Sequence, residues 1–267
     1  MKIFINGCSH TAISYSCWYN SKKQRIHQPR DRKSWMTFLE DKLNIPHLAS
    51  IYTNPAGIPK QNYDEGLALG EVGNSLRWME GLNLYRNKPH IISLATDGKG
   101  NDSILFDSLN YLRYCKRENI KLDYVCIQWS GPGRRLVTSD IEDLIFANPH
   151  ENYQFGTNLE PSGSFHTLNY MIILQNYLKE NNINYNFISY FPLDKRVIDI
   201  DKKLYRELDK TKFLSYKKYH PIVEGWLPNI LKDGLAIDSD GHPNQDLMEI
   251  ISDKVFKNIL KYKKKIQ

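Results

Sequence analysis

The hexapeptide NGCSHT (6–11) follows directly on the apolar opening MKIFI. A serine there can be an ordinary turn residue, since Asn, Gly and Ser all suit turns. It can also be a nucleophile, because ligands of open α/β sheets bind beyond the carboxyl ends of the strands. A serine hydroxyl is inert at neutral pH without a base, a group that orients the base, and donors for the oxyanion. Residue types for each task occur elsewhere in the chain. IDSDGHPN (237–244) offers His242 as base, with Asp238 and Asp240 beside it. ATDGKGNDS (95–103) offers Gly98 and Gly100, where the backbone can approach a ligand closely, and Asn101, whose amide can donate.

For these groups to meet, elements must bring them to one place. Lys2–Asn6 reads as a short apolar strand, and 90–95 (HIISLA), 123–129 (DYVCIQW) and 185–191 (YNFISYF) read as three more. Near-continuous apolar character is what a sheet covered on both faces requires. Between the strands lie helical patterns. Trp35, Phe38, Leu39 and Leu43 recur after Ser34, a suitable N-cap; Ile104, Leu105, Ser108, Leu109 and Leu112 mark a second helix. Phe165, Leu168, Met171, Ile172 and Leu178 mark a third, and Leu247, Ile251, Val255 and Ile259 a fourth. Alternating strands and helices predict a mostly parallel sheet in an α/β fold. No linker divides the 267 residues, so one domain is expected. Two stretches, about 45–88 and about 193–236, break the rhythm and read as insertions, the kind of segment that forms lids or partner surfaces.

Composition narrows the function classes. At 41% hydrophobic and 25% charged the chain can build an ordinary core. The net charge of +6 owes part of its excess to KYKKK (261–265), a solvated helix end favoured by the macrodipole. The 17 tyrosines are spread too evenly to make a basic, aromatic nucleic-acid face. No apolar run is long enough to span a membrane, and the opening is too short for a signal peptide. Cys8, Cys17, Cys115 and Cys126 show no CxxC pairing and read as reduced thiols; Cys8 with His10 lacks two further zinc ligands. No metal, cofactor, nucleic acid or membrane is therefore expected, and the reduced thiols lead to a cytoplasmic location as the expectation.

At these residues the chain resembles the SGNH (GDSL-type) hydrolases, most of all a phage and bacterial group whose first block reads GCSHT instead of GDS. The blocks run in order: INGCSHT, SWMTFL, SLATDGKGNDSI, YVCIQWSGPGR, LQNYLKENNINYNFISY and DGHPN. The resemblance implies a flavodoxin-like three-layer α/β/α sandwich with a mostly parallel central sheet. It implies Ser9 as nucleophile, His242 as general base, and Gly98 with Asn101 as oxyanion donors. Two departures stand out. Cys8 occupies the usual Asp position before the serine. Ser239 stands three residues before His242, so the acid is Asp240, or else Asp238, or is absent. GKGND fits the second block; WSGPGR then serves as the third, with Ser130 in the turn and no asparagine, which leaves Asn101 as the oxyanion amide. Gly100 and His10 are further contact candidates, and Arg134 could meet an anionic substrate group. The expected activity is serine ester hydrolysis, with an acylated, acetylated above all, carbohydrate or small ester as substrate. Acyl transfer to a sugar would use the same groups. The alternative is a family member without activity, a structural or carbohydrate-binding protein such as a virion component, with its insertions meeting a protein partner.

Overall fold

In the first strand, β1 (Lys2–Asn6), Ile3 and Ile5 project to one side and Phe4 to the other, and all three are fully buried. A strand apolar on both faces needs cover on both faces, and the rest of the chain supplies it. The computed structural model describes residues 1–8, 15–19, 25–29, 34–45, 47–49, 88–95, 100–132, 137–139, 143–145, 161–216, 220–233 and 244–263. Among them the further strands are β2 (Tyr15–Tyr19), β3 (Arg25–Pro29), β4 (His47–Ala49), β5 (His90–Ser93), β6 (Tyr124–Trp129), β7 (Val137–Ser139), β8 (Asp143–Ile145) and β9 (Tyr185–Ser189).

Five strands make the central sheet, in the order β4-β5-β1-β6-β9, and every pairing is parallel. Its four longer strands follow the second-first-third-fourth order with which flavodoxin-like sheets begin, and β4 adds outside β5. The strands β2 and β3 form one antiparallel hairpin, and β7 and β8 another. All four strands expected from the sequence are present. The three-residue β4 lies in a stretch expected to be an insertion.

Among the described residues the α-helices are α1 (Trp35–Leu43), α2 (Asn101–Arg117), α3 (Pro161–Glu180), α4 (Lys195–Ile200), α5 (Lys202–Glu207), α6 (Leu227–Lys232) and α7 (Gln245–Lys263). Ser34 caps α1 as its type predicts, accepting the Thr37 N–H at 3.2 Å. Two apolar clusters sandwich the sheet. On one face Phe4, Ile92, Val125, Ile127, Trp129 and Phe187 pack against α2, α3, α4 and α5. On the other Ile3, Ile5, Ile91, Cys126 and Ile188 pack against α1, α6 and α7. This is a three-layer α/β/α sandwich.

The described part of 193–236 is woven into both clusters. Val197, Tyr205, Phe213 and Ile222 join the first, and Leu214, Tyr216, Trp226 and Ile230 the second. Phe213 forms a parallel bridge beside Phe187, and the Leu214 N–H donates to the Phe187 carbonyl at 2.8 Å. Beyond it, the turn 220–226 grips the end of β9. Leu193 N–H donates to Ile222 O at 3.0 Å, and Trp226 N–H reaches Ser189 O and Tyr190 O, each at 3.1 Å.

Gly225 makes this grip close. Its φ of 61° is left-handed, and a Cβ there would fall 2.7 Å from Pro192 N and 2.8 Å from the Phe191 carbonyl carbon. Backbone cannot yield as a side-chain tip can. Gly225→Ala is expected to destabilise the fold by about 2 kcal/mol or more, read as a lower urea midpoint at unchanged slope.

His220 organises the same turn. Its Nδ1 accepts the N–H groups of Val223 at 3.2 Å and Ile222 at 3.4 Å, so the ring proton belongs on Nε2, 3.0 Å from Tyr205 Oη. Burial first, and then the Lys210 charge, hold the imidazole below its ordinary pKa, against an upward pull from Glu224. Burial pushes the Tyr205 phenol up to about 12, so it stays neutral throughout the relevant range. The folded state favours the neutral ring. Its contribution is therefore complete above the ordinary imidazole value of about 6.5 and is lost as pH falls below it. An Asn side chain can accept where Nδ1 does but does not titrate. His220→Asn should flatten the fall in urea midpoint between about pH 7 and 5 relative to wild type.

Candidate functional site

Four segments reach the carboxyl edge of the sheet, and each can be followed there through described atoms. The first is the end of β1 itself, where Asn6, Gly7 and Cys8 are buried. The second is the start of α2, since Asn101 binds the residues that follow β6. The third is the start of α1: Trp35 Nε1 donates to Gln128 Oε1 at 3.3 Å, and Gln128 is next to last in β6.

The fourth is the start of α7. The far end of that helix lies at the amino edge, where the Tyr262 ring centroid is 5.8 Å from that of Tyr124 and Tyr262 Oη is 3.4 Å from Tyr185 O. Tyr124 and Tyr185 are the first residues of their strands. A 19-residue helix advances about 27 Å along its axis, enough to cross the sheet. Its first turn, capped by Asn244 Oδ1 accepting the Leu247 N–H at 3.0 Å, is thus at the carboxyl edge. Lys42 of α1 supports this alignment by reaching Glu249 at 3.4 Å and Asp253 at 3.1 Å on α7.

Of the residues selected from the sequence, Gly100, Asn101 and Ser130 are among those described, and all three are buried. Ser9, His10, Gly98, Arg134, Asp238, Asp240 and His242 lie outside the described residues. Gly100 is the N-cap of α2, in extended conformation, with no side chain capping the helix. Asn101 spans three elements. Its Oδ1 accepts the Ser130 N–H at 2.7 Å; its Nδ2 donates to Ser130 O at 3.1 Å and to Thr167 Oγ1 of α3 at 2.9 Å, with Gly131 O at 3.4 Å.

An amide has two hydrogens, and both of Asn101's are engaged by protein atoms. In this structure the side chain clamps the loop after β6 to α2 and α3, and an oxyanion role would require it to release one of these partners. Ser130 Oγ, by contrast, is buried without a hydrogen-bond partner among the described residues.

Sequence reasoning passed over Asn6. This fully buried residue ends β1 with its Oδ1 accepting the Gly7 N–H at 2.8 Å. Its Nδ2 donates to Ile104 O at 3.1 Å and Ser108 Oγ at 2.9 Å, both in α2. The available signal was a carboxamide at the last position of an otherwise apolar strand. Cys8 is fully buried too, and lies near enough to Tyr190 to add to the upward push that burial gives that phenol. Burial also raises the Cys115 thiol to about 11 and the Cys126 thiol further, so neither is an activated nucleophile.

No family model matches the chain, and no curated protein matches it. Among solved structures it is similar to a psychrotrophic esterase from Pseudoalteromonas sp., at 10% identity over 98% of this chain and 97% of that one, with a TM-score of 0.46. It is similar to an acetyl xylan esterase at 12% identity over 97% and 99% of the two chains, TM-score 0.45. A member of the lipolytic G-D-S-L family from Veillonella parvula is similar at 10% identity over 96% of each chain, TM-score 0.40. The α/β/α class assigned above stands on this chain's own strand order and layers.

The clamp at Asn101 yields a stability test. Asn101→Ala would leave the Ser130 N–H buried without its acceptor and should cost about 2–3 kcal/mol in urea unfolding. Thr167→Val, which removes only one acceptor of a shared donor, should cost about 1 kcal/mol.

Proposed function

We propose that this chain is a serine ester hydrolase of the SGNH type, acting on an acylated carbohydrate or a similar small ester. The observation that supports it is the meeting of β1, α2, β6 and α7 at one edge of the sheet. Ser9 is one residue beyond the buried Cys8, and His242 is two residues before Asn244. Two residues of chain reach no further than about 7.6 Å between Cα atoms. Gly98 belongs to the short segment between Ala95, which follows β5, and Gly100, which opens α2.

In this reading Ser9 Oγ attacks the ester carbonyl while His242 takes its proton. Asp240 holds the imidazole in the tautomer that can accept, with Asp238 as the alternative. The N–H groups of Ser9 and Gly98 meet the oxyanion, and Gly100 lets the backbone approach. His242 then passes its proton to the leaving alcohol, and water releases the acid from the acyl-serine by the same route in reverse. Asn101 sets the position of the loop after β6, and Ser130, His10 and Arg134 are candidates for contacting substrate.

The engaged amide of Asn101 favours one rival reading, a member of the same fold that binds an acylated glycan or a protein partner without turning it over. A single comparison decides between them. Wild type should hydrolyse p-nitrophenyl acetate and be labelled by a fluorophosphonate at Ser9. Ser9→Ala should lose the labelling and about 10⁴-fold or more in kcat. Equal, slow turnover by both proteins, with no labelling but with tight binding of a partner, would favour the rival. Loss of turnover in Asp240→Asn but not Asp238→Asn identifies the acid.

A further inference from the structure

We propose that Asn6 is a positioning residue for the nucleophile, tying the turn that follows β1 to the helix that follows the oxyanion loop. This rests on the hydrolase reading above, and it concerns a residue that reading does not use. The distance between nucleophile and oxyanion donors must hold to about half an ångström for such a site to work. In this chain the two come from different strands, β1 for Ser9 and β5 for Gly98, so something has to fix one connection against the other.

Asn6 is built for that task. Its carboxamide is fully buried and has both ends engaged. The oxygen end accepts Gly7 N–H at 2.8 Å and so shapes the backbone two residues before Ser9. The nitrogen end donates to Ile104 O and Ser108 Oγ, in the first two turns of α2. Ser108 Oγ in turn donates to Ile104 O at 2.6 Å, so three groups close one small polar network in an otherwise apolar layer. Asn101, the first residue of the same helix, fixes it to Ser130 and Thr167.

The segment carrying Gly98 is pinned at both ends. Leu94 N–H donates to Ile5 O at 3.0 Å before it, and the Asn101 clamp follows it. Ile5 and Asn6 are adjacent in β1, so both connections take their position from the last two residues of that strand. Replacing Asn6 frees the turn from the helix while leaving every reacting group chemically unaltered.

The test compares Asn6→Ala with Asn186→Ala, both assayed with p-nitrophenyl acetate at a temperature where circular dichroism shows them folded. Asn186 is a matched control. It is equally buried, accepts Tyr124 Oη at 2.7 Å, donates to Lys212 O at 2.8 Å, and sits near the start of β9 at the amino end of the sheet. Asn6→Ala should lower kcat by about 10- to 100-fold with KM within about twofold, as expected when a reacting group drifts. Asn186→Ala should keep kcat within about twofold, although it also loses stability.

Should Asn6→Ala fail to fold, Ser108→Ala removes only one of the acceptors and is expected to lower kcat by about 3- to 10-fold. Unchanged kcat in these variants, or an equal loss in Asn186→Ala, overturns the positioning role while leaving the hydrolase reading intact. A wild type without Ser9-dependent turnover removes that reading, and the positioning role with it.

Discussion

A parallel sheet buried on both faces allows no hairpin between its strands. Every connection must cross back over a face, so all strands finish at one edge and the crossover helices begin there. Much of this chain's organisation follows from that constraint. Segments far apart in sequence, 7–8, 94–95, 100–101, 130–132 and 244–245, are returned to a common rim because β1, β5, β6 and β9 run the same way. The rim is held by a few polar side chains within apolar layers. Such groups are costly to bury and specific in what they accept, so they select one arrangement from those that generic packing would tolerate.

The strands and the long helices could be read because burial on two faces writes a continuous apolar signal. YVCIQW and YNFIS left little doubt as to type, and the helical spacing of Leu247, Ile251, Val255 and Ile259 gave the last helix its inward face. What escaped was short or mixed. Residues of β4 form only three pairs, with β5, too few for periodicity to show. The stretch 193–236 looked irregular because its helices run only six residues each, yet Trp226 and Ile230 carry an i, i+4 apolar signal and are fully buried. Pro221 and Gly225 there belong to the tight turn that grips the end of β9.

For the candidate site, sequence supplies residue types but not their partners. Sequence can nominate Asn101 as a donor, but it cannot say which acceptor wins, since that depends on what the fold brings within 3 Å. Here Ser130 and Thr167 arrive first. Asn6 shows the converse: a residue with no chemistry of its own gains significance from the two elements it joins. Local pattern reports burial well, whereas hydrogen-bond partners separated by 66 or 102 positions are a property of topology.

The margin of the sheet beside β9 has a consequence for how this molecule meets its own kind. A strand at a margin presents free N–H and C=O groups that can recruit a neighbouring chain and seed edge-to-edge aggregation. Beside Phe187 that vacancy is taken by the chain itself: Phe213 lies alongside, and Leu214 satisfies the carbonyl. A one-residue bridge is too short to count as a sixth strand. It covers the edge at that point, where a bare strand would offer its groups to an intruding one.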